Sequence, residues 1–155
     1  MELLFLGTSS GTPTKERNVS GVAIKKRNNK NWCLVDCGEG TQHQILKTKL
    51  SLRHLKAICI THIHGDHCYG LPGLLASASM DCRKDKLTII APKGIKLFLN
   101  NIFETTQLEL SFDIGFIEIE NIQEPIVQDD FNIGLVELSH RCPSYAFNFT
   151  EKNIK

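Results

Sequence analysis

Apolar residues along the chain fall into short runs cut by glycine, asparagine and charge, a spacing that predicts several strands and a few helices. Residues 2–6 form the first run and stop at Gly7, and a brief run with a glycine stop favours a buried strand over a helix. Residues 8–18 mix Ser, Gly, Thr, Pro and charge without a period, which predicts an irregular and partly exposed loop. Residues 19–26 and 32–35 read as a hairpin across Asn28, Asn29, Lys30 and Asn31, because asparagine tolerates positive φ at low cost. A glycine-rich corner, Asp36-Cys37-Gly38-Glu39-Gly40, then leads into a helix over 41–46 with Thr41 as its cap.

Residues 56–60 are short and β-branched and predict another strand. A helix is expected over 71–80 with Pro72 in its first turn, and a strand over 87–91. A second long helix spans 93–105 through Ile95, Leu97, Phe98, Leu99 and Ile102, and strands follow at 116–119 and 131–138. Strands first paired as a hairpin and later alternating with helices indicate an α/β class, with a mixed sheet and helices packed on a face. At 155 residues and 41% apolar content, one domain over 1–155 has enough material for a single core.

Charge changes this picture by its distribution rather than its sum. The net charge is +1, yet residues 1–96 hold 15 Lys and Arg against 7 Asp and Glu, and residues 97–155 hold 3 against 10. The basic groups are Lys25, Lys26, Arg27 and Lys30, then Lys47, Lys49, Arg53 and Lys56, then Arg83, Lys84 and Lys86. Each can meet phosphates, and each alone reads more simply as a solvated loop. No apolar run approaches the roughly 20 residues of a membrane-spanning helix, and the first residues lack the pattern of a secretory signal, so a soluble cytoplasmic protein without a membrane partner is expected. Six irregularly spaced cysteines fit reduced thiols in that setting.

The decisive chemistry lies in Thr61-His62-Ile63-His64-Gly65-Asp66-His67, at the end of the predicted strand over 56–60. In extended backbone His62 and His64 point the same way and can grip one ion. Gly65 permits a turn, after which Asp66 and His67 can reach a second ion nearby. Neutral imidazoles with a carboxylate suit Zn²⁺, and manganese or iron accept the same ligand types. Three histidines at a strand end repel one another when protonated and gain little by packing, whereas a cation shared with the neighbouring aspartate offsets both problems. His140, after the apolar strand over 131–138, can complete a three-histidine shell with His62 and His64. Lone His43 and His54 carry no such weight.

The HxHxDH motif at 62–67 resembles the signature of the metallo-β-lactamase fold, an αββα sandwich with a two-metal edge. Pro13-Thr14-Lys15-Glu16-Arg17-Asn18 resembles the PxKxRN loop of ribonuclease Z, the endonuclease that matures transfer RNA 3′ ends. Phe5-Leu6-Gly7-Thr8, Asp36 to Gln42, Gly70 to Leu75 and Ser139-His140 to Tyr145 resemble that family in order and spacing. The resemblance implies that His62, His64 and His140 hold a first zinc, that Asp66 and His67 hold a second, and that Asp66 accepts a proton. Two such ions make a water acidic and neutralise charge on phosphate oxygens, and a neighbouring carboxylate handles the proton. Pro13, Lys15, Arg17 and Asn18 are then expected to position precursor transfer RNA, with Lys15 and Arg17 on phosphates or a base.

Full members of that family, by the same resemblance, are about twice as long and carry a bridging aspartate and further histidines in the second half. Asp113, Asp129 and Asp130 do not match that segment and read as solvated acidic residues. The expectation is therefore an incomplete sandwich, the N-terminal half, which exposes apolar surface and forms a homodimer. It binds zinc weakly, at no more than one site, and cleaves precursor transfer RNA poorly. Two alternatives remain: another hydrolase of the fold, a thioesterase or phosphodiesterase, and a non-catalytic RNA-binding fragment.

Overall fold

The computed structural model describes residues 1–152. A six-stranded sheet has the order β1 (Glu2–Gly7), β2 (Gly21–Lys25), β3 (Trp32–Val35), β4 (Leu55–Cys59), β5 (Leu87–Ala91), β6 (Ile114–Glu118). The first three strands are antiparallel neighbours and the last four are parallel, so the sheet is mixed as expected. Central β4 and β5 are covered on both sides, which explains why Leu55–Cys59 and Leu87–Ala91 are almost continuously apolar instead of alternating. A second sheet contains β7 (Ile126–Gln128), β8 (Phe131–Leu138) and β9 (Ser144–Glu151), all antiparallel.

The helices are α1 (Thr41–Leu46), α2 (Gly65–Cys68), α3 (Leu71–Met80) and α4 (Ile95–Thr106). In α3 the buried Leu71, Leu74, Leu75 and Ala78 recur at helical spacing and face the large sheet. Together with Ile45, Ile95 and Leu99 they build one core against Leu34, Ile58 and Ile89. The opposite face of the sheet presents Ile24, Cys33, Ala57, Cys59 and Ile90, and these pack on Phe131 and Ile133 of the second sheet. Among the described residues no α-helix joins this second core. The layers are therefore helices, sheet, sheet, and the α/β metallo-β-lactamase-like arrangement stands one helical layer short of αββα.

Several local expectations shift. Thr41 is the first residue of α1 and not its cap; its hydroxyl donates to Gly38 O at 2.7 Å, while Gly40, at φ +74°, precedes the helix. The hairpin strand begins at Gly21, and Val19 forms only an isolated bridge with Ser9. Strands β7 and β9 were not foreseen. In β9 the inward residues Tyr145, Phe147 and Phe149 recur at every second position, with Ala146 and Asn148 between them, a half-buried strand period that Ala146 blurs in the sequence. Arg83, grouped above with phosphate-binding candidates, is 2% exposed and spends its guanidinium on the carbonyls of Leu52, Asp85 and Lys86. No helix among the described residues is long and apolar enough to cross a membrane.

Candidate metal centre

The site forms where β4 ends and the second sheet closes over it. Beyond Cys59 the chain bends at Thr61 and Ile63, reaches His64 in an extended conformation (ψ 146°) and turns helical at Gly65, so His62 and His64 lie on the irregular segment after β4 while Asp66 and His67 leave the first turn of α2. Gly65 stands at this corner beneath the exposed Tyr69 ring. The loop between β8 and β9 brings His140, and it is tied to the large sheet by Tyr145 N–H donating to Thr61 O at 3.0 Å.

His62, His64 and His140 offer ligand atoms that all lie within 4.8 Å of one another. His140 Nε2 is 3.4 Å from His64 Nδ1, and the His62 ring packs edge-on against both others. Burial, together with the neighbouring imidazoles, pushes the His62 pKa down to about 4, so this ring is neutral at neutral pH and keeps a lone pair for a cation. Its Nδ1 is 2.9 Å from Thr61 Oγ1, which leaves Nε2 for the cluster.

Asp66 and His67 form the adjoining pair, with Asp66 Oδ2 3.2 Å from His67 Nε2 and the His67 ring 4.0 Å from that of His62. Burial alone would lower the His67 pKa, but the hydrogen bond and charge of Asp36, helped by Asp66, raise it above its usual value. Asp66 Oδ2 also accepts Gly11 N–H at 3.0 Å, which draws the 8–18 loop to the site. Pro13, Lys15 and Arg17 are exposed on that loop, whose turn is fixed by Thr14 Oγ1 accepting Arg17 N–H at 2.9 Å. Asn18 is half-buried and donates its amide to Glu39 O at 2.9 Å, so it anchors the loop to the glycine-rich corner. His43 and His54 lie outside the cluster.

A family profile described as Anti-Pycsar protein Apyc1 matches residues 1–154. The chain belongs to that family. Similarity extends to proteins with other names. Ribonuclease Z of Marinobacter nauticus is 49% identical over 155 residues, 100% of this chain and 48% of that protein. Human tRNase Z, short form, superposes with a TM-score of 0.87 at 31% identity, covering 97% of this chain and 65% of that one. The metallo-beta-lactamase fold protein YhfI of Bacillus subtilis superposes at 0.73 with 19% identity over 96% of this chain and 57% of its own, which shows the fold. The chain spans about half the length of the curated relatives it matches.

This Apyc1-family chain thus has a metallo-β-lactamase fold, and with its three-histidine cluster that fold indicates a divalent metal. The donor chemistry fits one, since the candidate ligands comprise imidazoles, one of them held neutral, beside a carboxylate. Sequence reasoning missed Asp36. It is 4% exposed, lies just beyond β3 at φ +60°, and accepts from Ser20 Oγ, Thr61 N–H, Thr61 Oγ1 and His67 Nδ1. The available signal was an aspartate at a strand end beside a glycine-rich corner, a position where a carboxylate often orients a metal-binding histidine.

Proposed function

We propose that the chain carries metal ligands of a zinc-dependent endoribonuclease that removes the 3′ trailer from precursor transfer RNA. The observation that carries this reading is the meeting of His62 and His64 with His140, 76 residues beyond His64, within 4.8 Å. Similarity along the whole chain to proteins named Ribonuclease Z supports the substrate class. His62, His64 and His140 would hold one zinc ion, and in a complete active site Asp66 with His67 would contribute to a second. When bound, the metal supplies Lewis acidity, neutralising charge on phosphate oxygens and making a water acidic.

The chain's own residues divide the remaining work. Asp66 takes the proton of the attacking water, its carboxylate steadied by Gly11 N–H. Asp36 holds the His67 ring through Nδ1. Lys15 and Arg17, exposed on the loop that reaches Asp66, contact phosphates or a terminal base, with Pro13 and Asn18 fixing the loop's course. A cytoplasmic homodimer belongs to the same reading; Leu3 and Phe5 on the outer strand β1, 56% and 64% exposed, supply apolar surface for an interface.

The test scores metal content, binding and cleavage of precursor transfer RNA together, using the purified chain with zinc. Expected are specific RNA binding, weakened about tenfold or more when Lys15 and Arg17 are both changed to alanine, and slow trailer release that disappears in His62→Ala. Hydrolysis of a small phosphodiester or thioester with no preference for the RNA would contradict this reading and favour another hydrolase of the fold. RNA binding without metal or cleavage would favour a binding module.

A further inference from the structure

Cys142 lies beside the three-histidine cluster without belonging to it. It sits two residues beyond His140 in the loop joining β8 to β9, half-buried, with Sγ 3.6 Å from His64 Nε2. The other nitrogen of the same ring, Nδ1, lies 3.4 Å from His140 Nε2, inside the three-histidine cluster. His64 therefore faces the cluster with one nitrogen and Cys142 with the other.

A neutral imidazole carries one proton, so a ring that offers the Nδ1 lone pair to a cation must keep that proton on Nε2. At Nε2 the facing atom is the sulfur. The neighbouring histidines show the same division of labour with oxygen partners: Thr61 Oγ1 meets His62 Nδ1 at 2.9 Å, and Asp36 Oδ2 meets His67 Nδ1 at 2.6 Å. A second nitrogen engaged in this way fixes both tautomer and ring angle, which is how partners behind a ligand tune metal affinity. The loop is also held in place, by Leu138 pairing with Ser144 and by Tyr145 N–H on Thr61 O at 3.0 Å.

We propose that Cys142 is the positioning residue for His64: its sulfur accepts a hydrogen bond from Nε2–H, which leaves the Nδ1 lone pair facing the cluster. The contact between the two side chains stands on its own geometry, and its consequence for affinity rests on the metal centre proposed above. A sulfur in this place is a weak acceptor, so a hydroxyl can take over part of its role while a methyl cannot.

The experiment compares the full chain with Cys142→Ala, Cys142→Ser and His62→Ala. Nitrogen NMR of the histidine side chains, at a pH where the rings are neutral, reads the His64 tautomer without metal. Zinc affinity is read in parallel by competition with a chelator. The expected result is an Nε2-protonated His64 in the wild-type chain, loss of that preference in Cys142→Ala with a 10- to 100-fold fall in affinity, and partial recovery of both in Cys142→Ser. An unchanged tautomer in Cys142→Ala, or unchanged affinity in a chain whose His62→Ala variant has lost metal, overturns the proposal. A tautomer that depends on Cys142 in a chain that binds no zinc supports the Cys142–His64 contact and overturns the metal centre instead.

Discussion

Asp36 Oδ2 lies 2.6 Å from His67 Nδ1, and the same carboxylate accepts both the backbone N–H and the hydroxyl of Thr61. One buried acid thereby couples the end of β3 to the end of β4 and to the first turn of α2. The positive φ of Asp36 belongs to this arrangement, since aspartate is among the residues that tolerate a left-handed backbone.

Changing Asp36 to alanine leaves Thr61 N–H and His67 Nδ1 without their acceptor in a largely water-excluded place. A stability loss of about 3 kcal/mol is expected by denaturant unfolding. Asp36→Asn keeps one acceptor oxygen and costs less, but weakens zinc binding by roughly 10- to 100-fold because His67 loses its orienting charge. Wild-type stability and zinc affinity in both variants would show that the carboxylate is incidental.

Arg83 offers a contrast between charge for binding and charge for building. Its guanidinium gives Nε to Asp85 O at 2.8 Å, one terminal nitrogen to Leu52 O at 2.6 Å and the other to Lys86 O at 3.1 Å, and it lies over the Phe112 ring. Arg83→Met fills much of the volume but abandons three carbonyls, so an unfolding loss of about 3 kcal/mol is expected with RNA affinity unchanged per folded molecule. A stable variant with weakened RNA binding would return Arg83 to the phosphate-binding group.

The cysteines divide by burial. Burial pushes the Cys33 thiol up to about 12 and the Cys68 thiol up to about 11, and it raises Cys37 and Cys59 as well. A raised thiol pKa means fewer thiolates, so these four stay protonated and shielded at pH 8. Alkylation of the folded chain followed by mass spectrometry is expected to mark Cys82 first and Cys142 more slowly, with the other four reacting after denaturation. Rapid native labelling of Cys37 or Cys59 would contradict the packing described between the layers.

Much of the site was legible in the sequence because it is local. HxHxDH lies within six residues just beyond one strand end, so the chain itself keeps these candidate ligands together. His140 was legible through the apolar run ahead of it, and Leu71–Met80 and Phe131–Leu138 appear with the bounds expected. Asp36 and Cys142 were not legible, because each acts on a histidine far away in sequence and nothing local marks the pairing. Arg83 misled because charge in a sequence does not reveal whether carbonyls surround it. Strand β9 escapes a sequence reading for another reason: Ala146 lies between its inward Tyr145 and Phe147 and blurs the alternation that Asn148 and Thr150 show around Phe149.

The central claim is that residues near 64 and residue 140 share one cation. Titration of the chain with cobalt(II), followed by visible absorption, tests it directly when run beside His140→Ala. The account predicts the bands of a low-coordinate ion in the wild-type chain and at least tenfold weaker binding in the variant. Superimposable titration curves for the two proteins would contradict it.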